Sequence, residues 1–379
     1  MTETFKTKKV SYVLQLFNIA VARPGGRLPR HHLKPPRVWP TCLEADGSLV
    51  YFWGMIDSIS HYREVFLDHL TRHQNFGEPS GLYEPIRYIL DMGGKRMRPV
   101  LVLMSADLYG APLESALPAA MAVEVFHNFS LVHDDIMDAA PLRRGRATVH
   151  KKWDANTAIL SGDAMMIVAY QHLEAYPAEV FKPISVLFSR TALQVCEGQQ
   201  YDMQFENRDD VTLADYLRMI EYKTAVLLGC GLRMGALVGG APEAEQQAIY
   251  DFGISLGMAF QLQDDYLDVF GNPETFGKQV GGDIIENKKT YLYLQALELS
   301  AEPETRELLD LYTIKPREPQ AKVDRVRQLF TQCGADMAIQ NRIAEYTARA
   351  FDQLDGLAGN PSAKLALRAF GEWLLRRDF

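Results

Sequence analysis

The chain has little cysteine, little strand-like alternation and no excess of positive charge. Its four cysteines, Cys42, Cys196, Cys230 and Cys333, are spread over 379 residues and form no CxxC pair. That spacing excludes a disulfide framework and a cysteine-rich zinc site, and it fits a reducing, cytoplasmic setting. The formal net charge is −8, so no global basic field draws in nucleic acid. An anionic ligand must be held by a local cluster of Lys and Arg instead. The longest apolar run, Ala225–Ala241, contains Arg233. It is too short and too polar to span a bilayer, and it predicts a buried helix with no stable membrane insertion. Period-2 segments bounded by turn residues are scarce, which argues against a sheet-based core.

Residues 1–54 stand apart. Lys6, Lys8, Lys9, Arg23, Arg27, Arg30, Lys34 and Arg37 face only Glu3, Glu44 and Asp46, and prolines recur at 24, 29, 35, 36 and 40. No helical or strand period persists there. The apolar stretch Tyr12–Ala22 behind Lys8 and Lys9 has a signal-like outline, but Gln15 and Asn18 interrupt it and no cleavage site follows. The segment reads as a disordered extension, or as the product of a misassigned start ahead of Met55. From Met55 the pattern is helical nearly throughout, which predicts one large all-α domain over 55–379. Thr212 with Asp215 reads as a helix-capping pair. Short breaks stand at Gly110-Ala111-Pro112 and Gly271-Asn272-Pro273, and a polar connection is expected over Lys315–Lys322.

Two segments carry the chemistry. Phe126–Asp138 reads FHNFSLVHDDIMD, and Phe260–Gly271 reads FQLQDDYLDVFG. Asp134 and Asp138 are four apart, so on a helix they share a face, and their like charges repel. A divalent cation relieves that repulsion, and hard carboxylate oxygens suit Mg²⁺. A solvated acidic helix end is the plainer alternative, but the apolar flank from Phe126 to Met137 makes it awkward. Asp264, Asp265 and Asp268 repeat the same DDxxD spacing. If the two helices face each other, the acids form a cage for Mg²⁺ ions and a diphosphate. Upstream, Gly253 and Gly257 predict close approach by another helix. Cations complete the set: Lys95 and Arg98 in GGKRMRP, Arg143 and Arg144, Lys223, Lys278, and Lys288 with Lys289. Each alone is more often a solvated face. Together they suggest a metal-rich anion site and a second one made of basic side chains.

From about Leu82 to Leu292 these motifs, in this order, resemble the polyprenyl diphosphate synthase family. Beyond Leu292 the resemblance rests on helical character alone. It implies an all-α isoprenoid synthase fold, a single large helical bundle around a central cavity, usually as a homodimer. It implies Asp134, Asp138 and Asp264 as direct Mg²⁺ ligands, three ions being held with the bound diphosphate. Asp135, Asp265 and Asp268 would support them. Lys95, Arg98, His127 and Arg144 resemble the isopentenyl diphosphate site. Arg143, Lys223, Lys278 and Lys288 resemble contacts to the allylic diphosphate. Thr224, Gln261, Gln199 and Asp202 resemble the polar lining of the reacting carbons. Asp163 matches a structural motif. Ala147 stands where proline is common, and Met165 and Met166 where leucine is common.

The implied reaction is a head-to-tail condensation of isopentenyl diphosphate with an allylic diphosphate, by ionisation, attack and proton loss. Phe129 lies five residues before Asp134, roughly 7.5 Å below it at ~1.5 Å per residue. With the small Ser130 beside it, Phe129 reads either as the floor of the product cavity or as simple core packing. A floor there implies a short product of farnesyl or geranylgeranyl size. The rival readings are a longer-chain synthase, a terpene cyclase and a non-catalytic partner subunit. A cyclase usually lacks the GGKRMRP and RRG cations, and a partner subunit would be expected to lose an aspartate motif.

Overall fold

The computed structural model describes residues 48–74, 77–272 and 280–375, with side chains from Ile59 onward. Residues 1–47 and Lys278 lie outside the described residues, and helix is present from Ser48, ahead of the Met55 at which the sequence pattern begins. Trp53–Phe379 forms one compact unit. It begins with helices α1 (Ser48–Arg72), α2 (Ser80–Leu90), α3 (Met97–Leu108) and α4 (Leu113–Met137). A small hairpin, β1 (Leu142–Arg143) and β2 (Arg146–Ala147), follows. Helices α5 (Val149–Lys152), α6 (Ala155–Leu173), α7 (Ala178–Phe205) and α8 (Leu213–Ile220) come next. A π-helical turn, Glu221–Ala225, joins α8 to α9 (Val226–Val238), and α10 (Glu243–Phe270) is next. The chain continues through α11 (Gly282–Glu286), α12 (Tyr291–Leu299), α13 (Glu302–Leu311), α14 (Gln320–Cys333), α15 (Ala335–Gly356) and α16 (Pro361–Leu375).

The expected apolar run is α9, buried along nearly its whole length. Small residues explain how it fits. A Cβ on Gly235 would lie 2.3 Å from the Val102 carbonyl oxygen of α3. On its other side, a Cβ on Gly253 of α10 would meet Gly229 at 2.6 Å, and one on Gly257 would meet Ala225 at 2.6 Å. The glycine pair thus admits α9 and the π turn, as its spacing predicts. Backbones this close leave no room for even a methyl group.

Helix α10 ties two apolar clusters together. Ile249, Phe252 and Leu256 pack with Phe66, Phe126, Phe188 and Phe370. Met258, Leu262 and Val269 pack with Tyr216, Ile220, Leu292 and Phe330. Burying one such side chain contributes about 1.5–3 kcal/mol. Both aspartate motifs therefore stand at the ends of helices whose earlier turns are anchored in core. Thr212 and Asp215 form a reciprocal capping box at the start of α8, as expected.

One expectation needs correction. The connection expected over 315–322 ends at Pro319, because α14 begins at Gln320. Lys322 is inside that helix and 3% exposed, its Nζ donating to the Ile314 carbonyl at 2.9 Å. The hairpin over 142–147 was not anticipated, since two-residue strands carry no readable period.

Gly235→Ala is expected to destabilise the fold by about 1–3 kcal/mol through overpacking, read as a lower urea midpoint. Gly81 of α2 has nothing within 4 Å of a built Cβ, and Gly81→Ala should be neutral or slightly stabilising.

Candidate active site

The first motif closes α4. Asp135 is fully buried, and Arg143 grips both of its oxygens, Nε lying 2.9 Å from Oδ1 and 2.8 Å from Oδ2. Burial disfavours the Arg143 charge, but the bond to Asp135 and the carboxylate's own charge outweigh it, so the guanidinium stays cationic. Asp134 lies 3.7 Å from Arg143 Nη2 and 3.5 Å from Lys223 Nζ. Its Oδ1 is buried without a hydrogen-bond partner. Asp138 follows as the exposed C-cap of α4.

The hairpin aims two arginines in different directions. Its two-residue turn, Arg144–Gly145, has φ of 52° and 73°. That double positive φ suits a tight hairpin and explains the glycine. Arg143 turns to the first motif, while Arg144 Nη1 donates to the Gly93 carbonyl. A Cβ on Gly94 would sit 2.8 Å from the Arg144 guanidinium carbon, so Gly94 clears its path.

The second motif faces a cleft of about 230 Å³. Asp264, Asp265 and Asp268 line it together with Asp202, Lys223, Thr224, Gln261 and Lys288. Lys223 and Thr224 sit on the π turn, which packs on α7 where Gly198 lacks a side chain. A Cβ there would be 2.3 Å from the Lys223 nitrogen. Lys223 Nζ donates to Asp202 at 2.5 Å. Thr224 Oγ1 donates to Gln261 Oε1 at 3.1 Å, and Gln261 Nε2 donates to Asp265 at 3.2 Å. Asp268 accepts the Asp283 backbone N–H at 3.0 Å at the start of α11.

Lys288 lines the cleft and feels the acids of the first motif. Partial burial works against its charge, but Asp283, Asp202, Asp138 and Asp134 outweigh it and raise its pKa. Lys223 is raised in the same way, with Asp202 and Asp134 outweighing burial. Acids of the first motif thus act on cations that line the cleft faced by the second. Among the described residues no three acids converge tightly enough to hold an ion unaided. The donor set nevertheless fits Mg²⁺: all carboxylate, one oxygen unsatisfied, arranged around a cleft that leaves positions for water and phosphate.

The basic side chains expected to form a second site gather at the start of α3. Arg98 Nη1 lies 3.1 Å from His127 Nε2. Arginine can only donate, so Nε2 accepts and the neutral ring carries its proton on Nδ1. Burial lowers Arg98 to about 10, and Arg144 adds to the effect. Burial, then Arg98 and Arg144, push His127 well below its ordinary 6.5. Lys95 Nζ lies 5.4 Å from the Trp373 ring centroid.

Other expected residues sit elsewhere. Gln199 does not line the cleft; its amide lies 3.8 Å from Met137 Sδ at the end of α4. Asp163 is 3.8 Å from His133 Nε2, and a Cβ on neighbouring Gly162 would meet that ring at 2.3 Å. This segment packs α6 on α4, away from the cleft. Phe129 is 8% exposed, its centroid 5.4 Å from Phe126 and 4.8 Å from His133. Ser130 Oγ donates to the His127 carbonyl at 2.9 Å.

Several residues escaped the sequence reading. Arg96 points inward to Glu124 and the Leu90 carbonyl. A glutamate among the apolar residues AMAVEVF was the available signal that a buried cation must answer it. Tyr216 and Asp283 line the cleft with nothing in their spacing to mark them. Lys289 also lines the cleft, its Nζ donating to the Phe205 carbonyl at 3.1 Å at the end of α7.

The depressed His127 sets a sign. Below pH 6.5 the unfolded chain takes up a proton there and the folded protein does not, so this residue's contribution to stability is lost as pH falls below 6.5. Ring ¹⁵N shifts of His127 should stay those of neutral imidazole at pH 6, and Arg98→Met should move its titration back toward 6.5.

A polyprenyl synthetase family model matches residues 79–331. The geranylgeranyl diphosphate synthase of Methanosarcina mazei is 38% identical over 304 residues, covering 79% of this chain and 91% of that protein. The geranylfarnesyl diphosphate synthase of Natronomonas pharaonis is 32% identical over 340 residues, covering 85% and 97%. A solved geranylgeranyl pyrophosphate synthase is 52% identical with a TM-score of 0.81, covering 84% of this chain and 98% of its own. The chain has the all-α isoprenoid synthase fold, and it belongs to the polyprenyl synthetase family.

Proposed function

We propose that this chain is a prenyltransferase that condenses isopentenyl diphosphate with an allylic diphosphate, head to tail, to give a short-chain trans-polyprenyl diphosphate. The observation that carries the reading is the convergence on Lys288 and Lys223. Acids of the first motif act on these two cations, which line one cleft together with the acids of the second, and a separate Arg98–His127–Arg144 cluster stands nearby.

In this reading Lys223, Lys288, Arg143 and Lys278 hold the allylic diphosphate. Carboxylates keep Lys223 and Lys288 protonated at neutral pH, so both oppose the charge of the departing pyrophosphate. Asp134, Asp138 and Asp264 would hold three Mg²⁺ ions, with Asp135 and Asp268 in support; bound there, the ions neutralise charge on the diphosphate and its leaving group. Lys95, Arg98 and Arg144 would take isopentenyl diphosphate, His127 orienting Arg98. Thr224, Gln261 and Asp202 place polar atoms beside the reacting carbons. The allylic C–O bond breaks, the double bond of isopentenyl diphosphate attacks the cation, and a proton leaves to the released pyrophosphate. No side-chain base is then required.

The rest of the reading is coarser. The extension drawn at 1–54 would lie outside the catalytic domain of 55–379, although α1 runs unbroken from Ser48 across that boundary. A homodimer is supported by an exposed apolar face on α6 and α7, where Leu160, Ile167, Val186 and Leu193 are 56–64% exposed. The free thiols of Cys196, Cys230 and Cys333 support a cytoplasmic location. Among the described residues no helix is long and apolar enough to cross a membrane.

Labelled isopentenyl diphosphate should be incorporated with allylic primers and Mg²⁺, with products sized by chromatography. Asp134→Ala and Asp264→Ala should lower turnover at least ~10²-fold with helix content retained. Failure of the wild-type chain to incorporate label with any primer would sink the proposal. Phe129→Ala should lengthen the product; an unchanged size distribution removes Phe129 from the cavity floor.

A further inference from the structure

Asp265 is held differently from the other acids of its motif. It is 4% exposed, and both of its oxygens are engaged. Tyr216 OH donates to Oδ2, and Gln261 Nε2 donates to Oδ1 at 3.2 Å. Gln261 then accepts from Thr224 Oγ1 at 3.1 Å. Tyr216, on α8, is itself only 3% exposed. Donation therefore runs one way, from Thr224 to Gln261 to Asp265, and Tyr216 meets it from the far side.

The direction matters. An amide has one donating and one accepting end, and its orientation is set by its neighbours. Asp265 Oδ1 accepts the Gln261 nitrogen in either protonation state of the carboxyl, because Oδ2 is the atom that Tyr216 holds. The Gln261 oxygen must then face Thr224. Thr224 in turn commits its only hydroxyl proton to Gln261. What remains of the Thr224 oxygen is lone pairs, and Thr224 lines the cleft. Reversing the amide would make Thr224 accept, leaving its proton free to point into the cleft, the wrong polarity for a carbon that becomes positive.

We infer that Asp265 is a positioning residue with Tyr216 as its anchor, fixing the Gln261 amide so that Thr224 presents oxygen lone pairs to the reacting carbons. The inference rests on the proposed prenyl transfer. It takes Asp265 out of direct support of metal ions and gives Tyr216 a role in turnover.

The test compares the full chain with Tyr216→Phe, Thr224→Val and the double variant. Three quantities are read: kcat for condensation, KM for isopentenyl diphosphate, and calorimetric affinity for Mg²⁺ with inorganic pyrophosphate. Tyr216→Phe should lower kcat about tenfold, the scale of one lost hydrogen bond to a charged group. KM and pyrophosphate affinity should stay within about twofold of wild type. The double variant should be no slower than Thr224→Val alone, since both changes act through one oxygen. Additive losses, unchanged kcat, or pyrophosphate affinity weakened in step with kcat would overturn the inference, the last by placing Asp265 in the metal site. Should Tyr216→Phe melt below the assay temperature, Asp265→Asn gives the same readings: its amide can turn a donor toward Gln261, so kcat should fall while pyrophosphate affinity holds. Wild-type protein that fails to condense the substrates counts against the proposed function, not against the brace.

Discussion

Carboxylates from two distant stretches of chain crowd toward one cleft, and like charges this close repel. The architecture has to hold them there. It does so by anchoring the earlier turns of α4 and α10 in packed apolar clusters, so that repulsion at the helix ends cannot swing the helices apart. It also places Lys223, Lys288 and Arg143 among the acids. Burial works against each of these cations, and the carboxylates outweigh it. The acids favour the charged forms of these bases, though the cleft's five aspartates still outnumber its three lysines.

The large features of this arrangement are legible in the residues. Helical period from Met55, two DDxxD spacings behind apolar runs and the Gly253–Gly257 pair all point to a helical protein with two acidic ends. Glycine spacing is informative because a Cβ there would collide with backbone, a steric fact that survives whatever the surroundings. Capping at Thr212–Asp215 is legible for a similar reason, being local.

What was not legible depends on side chains choosing partners across the fold. In GGKRMRP, three cations look alike on paper. Lys95 lies near Trp373 and Arg98 against His127, while Arg96 turns inward to Glu124. Lys288 and Lys289 are neighbours in sequence, yet one feels the acids of the cleft and the other caps α7. Gln199 lies beside Met137, a side chain of the first motif that its sequence position does not reveal. Tyr216 has no motif at all, because an aromatic at helical spacing is indistinguishable from core until its hydroxyl finds Asp265.

The hairpin between α4 and α5 has a mechanical consequence. Arg143 and Arg144 are consecutive residues at the mouth of a two-residue turn, one gripping Asp135 and the other reaching back to Gly93. The two guanidiniums therefore share one stretch of backbone, and any coupling free energy between guests held by them would be the same in both directions.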